Sequence, residues 1–119
     1  MQKQFVTPDP QDLVNALGVE PETTGETQMT VRLFDVTGED LTFSYNVVGQ
    51  SVSVHWNTES GKPALKLFRE GATLLRIQEG DGITELVVEF ETQDTAGTLE
   101  LQVFPNVSVM ETSLLSQSP

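Results

Sequence analysis

Apolar residues recur at every second position along most of this chain. Met29, Val31 and Leu33 alternate with Thr30 and Arg32, and Leu41, Phe43, Tyr45 and Val47 alternate with Thr42, Ser44 and Asn46. Val52, Val54 and Trp56 then alternate with Ser53 and His55. Successive side chains of an extended strand point to opposite faces, so a period of two predicts strands buried on one side and wet on the other.

Turn residues suggest how these strands pair. Gly49-Gln50 fits a two-residue type II′ hairpin, which sets Val47 opposite Val52, Tyr45 opposite Val54 and Phe43 opposite Trp56. Val36-Thr37-Gly38 fits a three-residue loop with glycine in the left-handed place, setting Leu33 opposite Leu41 and Val31 opposite Phe43. The stretch from Trp56 to Pro63 is rich in turn formers and loses the alternation, which predicts the break between two meanders. In the second meander, Arg69-Glu70-Gly71 predicts a loop pairing Leu65 with Leu75 and Leu67 with Thr73. Glu79-Gly80-Asp81-Gly82 predicts a four-residue loop pairing Ile77 with Thr84 and Leu75 with Leu86. Gln93 to Ala96 closes a further hairpin, with Phe90 opposite Leu99, Val88 opposite Leu101 and Leu86 opposite Val103. A last strand around Val107 and Val109 closes an edge.

One helix start is marked ahead of the strands. Asp9 is a good N-cap, Pro10 suits the first helical position and Asp12 places negative charge in the first turn. Leu13, Val14 and Leu17 follow at helical spacing, and Gly18 supplies a stop. Val19 to Glu26 reads as a loop. The fold expectation is therefore all-β: an antiparallel meander sandwich or flattened barrel of about eight strands with one short N-terminal helix. With 119 residues the chain has a length suited to one domain, 1–119. Its expected parts are a helix at about 10–17, meanders at about 27–57 and 64–110, and a frayed tail at 113–119.

Charge narrows the partners. Formal net charge is −12. Residues 1–61 carry nine acids against two bases, 62–76 four bases against one acid, and 77–119 eight acids and no base. Phosphate recognition needs clustered Lys and Arg, so neither nucleic acid nor an anionic membrane is expected as a partner. A protein with a basic surface is. The outer face of the second meander concentrates Glu85, Glu89, Glu91 and Glu100, with Arg76 expected opposite Glu85 and Glu89 opposite Glu100. Like charges directly opposed are destabilising, a cost that a basic partner would relieve. These four glutamates are the candidate partner-binding residues. Free strand edges also offer pairing to a second copy, as a homodimer.

Catalytic and metal chemistry find little support. The chain has no cysteine and one histidine, His55, so no ordinary zinc set can form. His55 is expected on a wet strand face opposite Ser44, with no nucleophile-elbow motif anywhere. The acidic loops Asp35 to Asp40 and Glu79 to Gly82 do not match the helix-flanked calcium loop, and no glycine-rich phosphate loop opens a helix. Asn106-Val107-Ser108 fits a glycosylation acceptor, but the N-terminal residues lack the apolar core of a secretory signal, and a cytoplasmic location is expected. No metal or cofactor is implied. The leading expectation is a non-catalytic protein-interaction module, of the inhibitor, immunity or adaptor type, working through the acidic face. The alternative is a small-ligand-binding β-barrel with a cavity among Phe43, Tyr45, Trp56 and Phe90. The third is a carboxylate-based enzyme.

Overall fold

Among the described residues, nine strands form two antiparallel sheets stacked face to face. The computed structural model describes residues 4–115. The first sheet runs in the order β1 (Glu22–Thr24), β2 (Gln28–Arg32), β3 (Asp40–Asn46), β4 (Ser51–Asn57) and β5 (Pro63–Glu70). The second runs β6 (Ala72–Gly80), β7 (Ile83–Glu91), β8 (Thr95–Phe104) and β9 (Ser108–Leu115). The sheets do not close into a barrel, which leaves the sandwich of the two expected architectures. One hydrophobic cluster lies between them. It draws Val31, Phe43 and Val54 from the first sheet and Leu75, Leu86 and Leu101 from the second. The alternating residues of both halves thus face each other.

The helix α1 spans Pro10–Leu17 as expected. Asp9 accepts the Gln11 N–H through its carboxylate at 2.8 Å, and Gly18 ends the helix in the left-handed region, donating to Val14 O at 2.8 Å. Leu13 and Leu17 are buried in the common core. Ahead of the helix, Val6 donates to Thr73 O and accepts from the Leu75 N–H, both at 2.9 Å. It thereby lays a short parallel bridge along the outer edge of β6. The loop expected over Val19 to Glu26 contains a short edge strand, β1, held by Thr24↔Gln28 around Gly25.

Strand faces follow the sequence pattern and the expected pairing of Val31 with Phe43 forms, but four other strand pairings differ from expectation. Asn46 pairs with Ser51, so the β3–β4 turn has four residues, and Tyr45 faces Val52 while Phe43 faces Val54. The Asn46 carboxamide oxygen accepts the Gly49 N–H at 2.8 Å, and the left-handed residue is Gln50 (φ 51°). Val47 is therefore not opposite Val52 but in the turn, 43% exposed. At the next hairpin of this kind, Gly80 pairs with Ile83 around Asp81-Gly82, both with positive φ (55° and 78°). That is the two-residue mirror-image turn favoured by Asp-Gly, and it sets Ile77 opposite Leu86 and Leu75 opposite Val88. The β7–β8 register moves likewise to Phe90↔Gly97, Val88↔Leu99 and Leu86↔Leu101.

The fourth difference is topological. β5 belongs to the first sheet, with Trp56↔Leu65 and Val54↔Leu67, so the sheets part at Gly71 and not between Trp56 and Pro63. Leu65 and Leu67 extend the inner face of the first sheet, and the pairings with Leu75 and Thr73 do not form. Gly71 (φ 90°) carries the chain across. Its N–H and that of Ala72 both donate to Gln50 O, and its carbonyl accepts from Glu91 N–H. A Cβ there would press into the Thr92 side chain, so the crossing requires glycine on two grounds. At the other end of the second sheet, β9 continues through Leu115 with Ser113 paired to Gly97. Residues 116–119 of the expected frayed tail lie outside the described residues.

Candidate functional site

Two surfaces carry the chemistry. The first is the outer face of the second sheet. Glu85, Glu89 and Glu91 alternate along β7 with the core residues Leu86, Val88 and Phe90, and Glu100 stands across from Val87. The four glutamates therefore share a face, as expected, but the opposed pair does not exist. Glu89 faces Thr98, and Glu100 faces Val87. Arg76 faces Val87 and not Glu85, and its Nε lies 3.5 Å from Glu89 Oε2. The register shift of two residues removes the like-charge contact and supplies Glu89 with a cation. Apolar side chains flank this face: Ile83, Phe104 and Met110 are exposed, and Val87 at its middle is buried.

The second surface is a cleft at one end of the first sheet, about 720 Å³ in volume. One wall is the β2–β3 connection. There a single helical turn, α2 (Phe34–Thr37), replaces the expected three-residue loop. Gly38 ends it in the left-handed region (φ 75°), as the sequence predicts. Thr37 Oγ1 donates to Leu33 O at 2.7 Å and accepts the Glu39 N–H at 3.1 Å, which fixes the path into β3. The turn buries none of its own residues, and Phe34 is 60% exposed at the cleft. The opposite wall is the β4–β5 loop, closed by Thr58 N–H to Lys62 O at 2.7 Å and Gly61 N–H to Thr58 O at 2.8 Å. A β-bulge between Trp56 and Asn57 opens the strand pair where this loop begins.

Between these walls the indole Nε1 of Trp56 donates to Glu39 Oε1 at 3.1 Å, and Asn57 Nδ2 donates to Asp40 Oδ2 at 3.0 Å. Glu59 reaches the cleft from the loop, and Gly61 and Ala64 leave its floor open. Sequence reasoning missed this site. Its trace was Phe34, a large aromatic in a turn between two alternating segments, where no strand face accounts for it.

His55 is exposed on the outer face of the first sheet, between Thr42 and Lys66 and not opposite Ser44. Among the described residues no group of three or more His, Cys, Asp or Glu side chains is placed to hold a metal ion. The four aromatics considered for a common cavity take separate places: Trp56 lines the end cleft, and the other three, Phe43, Tyr45 and Phe90, lie in the core. Phe43 is fully buried, its ring 6.1 Å from that of Tyr45, while Phe90 lies under Arg69. Among the described residues no helix is long and apolar enough to cross a membrane.

Architecture and topology define the chain as a two-layer antiparallel β-sandwich with an N-terminal helix packed into its core. The same fold occurs in a chain of the contact-dependent growth inhibition toxin–immunity protein complex from Klebsiella pneumoniae 342. That chain superposes with a TM-score of 0.79 at 16% identity, over 96% of this chain and 100% of its own length. No family model and no curated protein matches the sequence.

Proposed function

We propose that this protein is an immunity-type interaction module, a non-catalytic chain that works in the cytoplasm by capturing a toxin with a basic surface. The observation that carries this reading is the end-to-end fold correspondence with a chain from a toxin–immunity complex. A net charge of −12 favours the protective role within such a pair. Opposite charge raises the encounter rate by about 10- to 1,000-fold at low salt, and an inhibitor that must reach its target first gains most from speed. The face carrying Glu85, Glu89, Glu91 and Glu100, with Ile83, Phe104 and Met110 around it, supplies carboxylates for steering and apolar contacts for holding.

The test is capture and neutralisation. The tagged chain is recovered from its native cell at about 50 mM salt, where surface charges are screened least. The protein that co-purifies in equal amount is then expressed alone and together with this chain. Growth arrest by the partner alone, relieved by co-expression and titrating to completion at equal amounts of the two proteins, is the expected result. A partner equally harmful in the presence of this chain would overturn the reading. Inactivation of many partner molecules by one of this protein would overturn the non-catalytic part.

A further inference from the structure

We propose that the cleft between α2 and the β4–β5 loop is a receptor for one arginine side chain presented by a partner protein. The lining combines an exposed aromatic, Phe34, a second aromatic, Trp56, and the carboxylates of Glu39, Asp40 and Glu59. A guanidinium is the group that uses both, because it is planar, weakly hydrated, stacks on ring faces and donates in a fork to carboxylate oxygens.

The internal hydrogen bonds sharpen this choice. The best donors in the cleft, the Trp56 indole N–H and the Asn57 amide, are already given to Glu39 and Asp40. What the cleft offers a visitor is therefore mainly acceptor oxygens and ring faces, a lining suited to a cation. Among the described residues no lysine or arginine lines it. Lys62 belongs to the same loop, but no ion pair joins it to Glu39, Asp40 or Glu59. The two hydrogen bonds also hold the carboxylates in place before anything binds, which lowers the ordering cost of association. Core packing does not explain Phe34, since Val36 is the residue of α2 that packs against the core while Phe34 is 60% exposed. A volume of about 720 Å³ accommodates the side chain with part of the backbone on either side, consistent with a residue delivered on a protein loop.

The chain contains one tryptophan, so emission excited at the red edge of the indole band reports on this cleft alone. The probes are three capped tripeptides, glycyl-X-glycine, with X as arginine, lysine or citrulline, the last a neutral isostere of arginine. Saturable change in Trp56 emission with the arginine peptide at about millimolar concentration is expected, at least about fivefold weaker with lysine and absent with citrulline. Phe34→Ala, Phe34→Leu and Glu59→Gln should each weaken arginine binding at least about fivefold. Phe34→Leu guards against a general loss of structure, because it keeps an apolar side chain at the site and removes only the ring. The four-glutamine variant, combining Glu85→Gln, Glu89→Gln, Glu91→Gln and Glu100→Gln, should bind the arginine peptide as the parent does. Equal responses to arginine and lysine, or to arginine and citrulline, would overturn the proposal. So would equal weakening by the four-glutamine variant and by Phe34→Ala. None of these results depends on the toxin-capture reading, so the two can fail separately.

Discussion

The guanidinium of Arg69 lies 4.1 Å from the centroid of the Phe90 ring. Arg69 belongs to β5, the last strand of the first sheet, and Phe90 to β7 in the second, so the contact ties the layers together near one margin of the sandwich. Arg69 Nη1 also donates to Glu111 Oε2 on β9 at 3.1 Å. With its side chain only 17% exposed, Arg69 links a core ring to an edge carboxylate. Arg69→Ala should lower stability by about 1–2 kcal/mol, summing a partly desolvated cation–π contact and a semi-exposed ion pair. Arg69→Lys should recover less than half of that, because an ammonium cannot stack and fork at once. Urea midpoints of the three proteins decide it.

Gly97 makes room for that link. It faces Phe90 on one side and Ser113 on the other, and a Cβ there would run into both the Arg69 guanidinium and the Thr112 carbonyl oxygen. The side chain can swing away, but the carbonyl belongs to a paired strand and cannot. Gly97→Ala is expected to cost about 1–3 kcal/mol. Its effect should be smaller in an Arg69→Ala background, since the two positions share a contact. A double-mutant cycle with additive terms would show that Arg69 does not crowd this position.

The faces of the strands were legible in the sequence, and so was one register, Val31 opposite Phe43 and Leu33 opposite Leu41; the other strand partners were not. Alternation states which side chains of a strand point inward, and a register slip of two residues leaves every one of them inward. That is why Phe43, Val54, Leu86 and Leu101 reach the core although three hairpins pair differently from expectation. The slips come from local chemistry that pattern reading does not weigh: the Asn46 side chain takes the Gly49 N–H, and Asp81 accepts a left-handed backbone beside Gly82. Strand membership was equally hidden, since the inward parity of Leu65 and Leu67 suits either sheet. For the same reason the shared face of Glu85, Glu89, Glu91 and Glu100 could be read from parity, while their pairing could not. The cleft joins a turn at Phe34 to a loop more than twenty residues away, a proximity that no periodicity encodes.

Val47 tests the β3–β4 register directly. In the four-residue turn it is largely out of the core, so Val47→Asp should change stability by no more than about 0.5 kcal/mol. In the two-residue register it would face Val52 and the interior, and the same change would bury an unpaired charge at a cost of several kcal/mol. Val52→Asp, at a position only 1% exposed, should show that large loss. A large loss from Val47→Asp would restore the tighter turn.

Glu89→Lys should lower stability slightly. Were Glu89 opposed to Glu100, the new lysine would relieve a repulsion and raise stability. With Arg76 Nε 3.5 Å away, it instead replaces an attraction by a repulsion. Both side chains are 45% exposed, so screening holds the effect to a few tenths of a kcal/mol, about 0.3–0.5. The sign is the informative quantity, and it should shrink towards zero in about 1 M salt. A salt-sensitive gain in melting temperature would mean that Glu89 lies closer to Glu100 than to Arg76.

Tyr45 should set an alkaline limit on stability. Its ring packs edge-on against Phe5, with centroids 6.5 Å apart and planes at 77°, and burial pushes the phenol above its ordinary value of 10.0. In the unfolded chain the phenol loses its proton first, near that ordinary value, while the folded chain still holds it. Above that point the unfolded state binds fewer protons, so stability falls as pH rises. The contribution is whole below pH 10.0, is lost progressively as pH climbs through the raised folded value, and is constant beyond it. Tyr45→Phe keeps the ring among Phe5 and Phe43 and removes the proton. The variant should therefore lose less melting temperature than the parent between about pH 9 and pH 11.5. Parallel decline of the two proteins across that range would assign the alkaline loss to other groups.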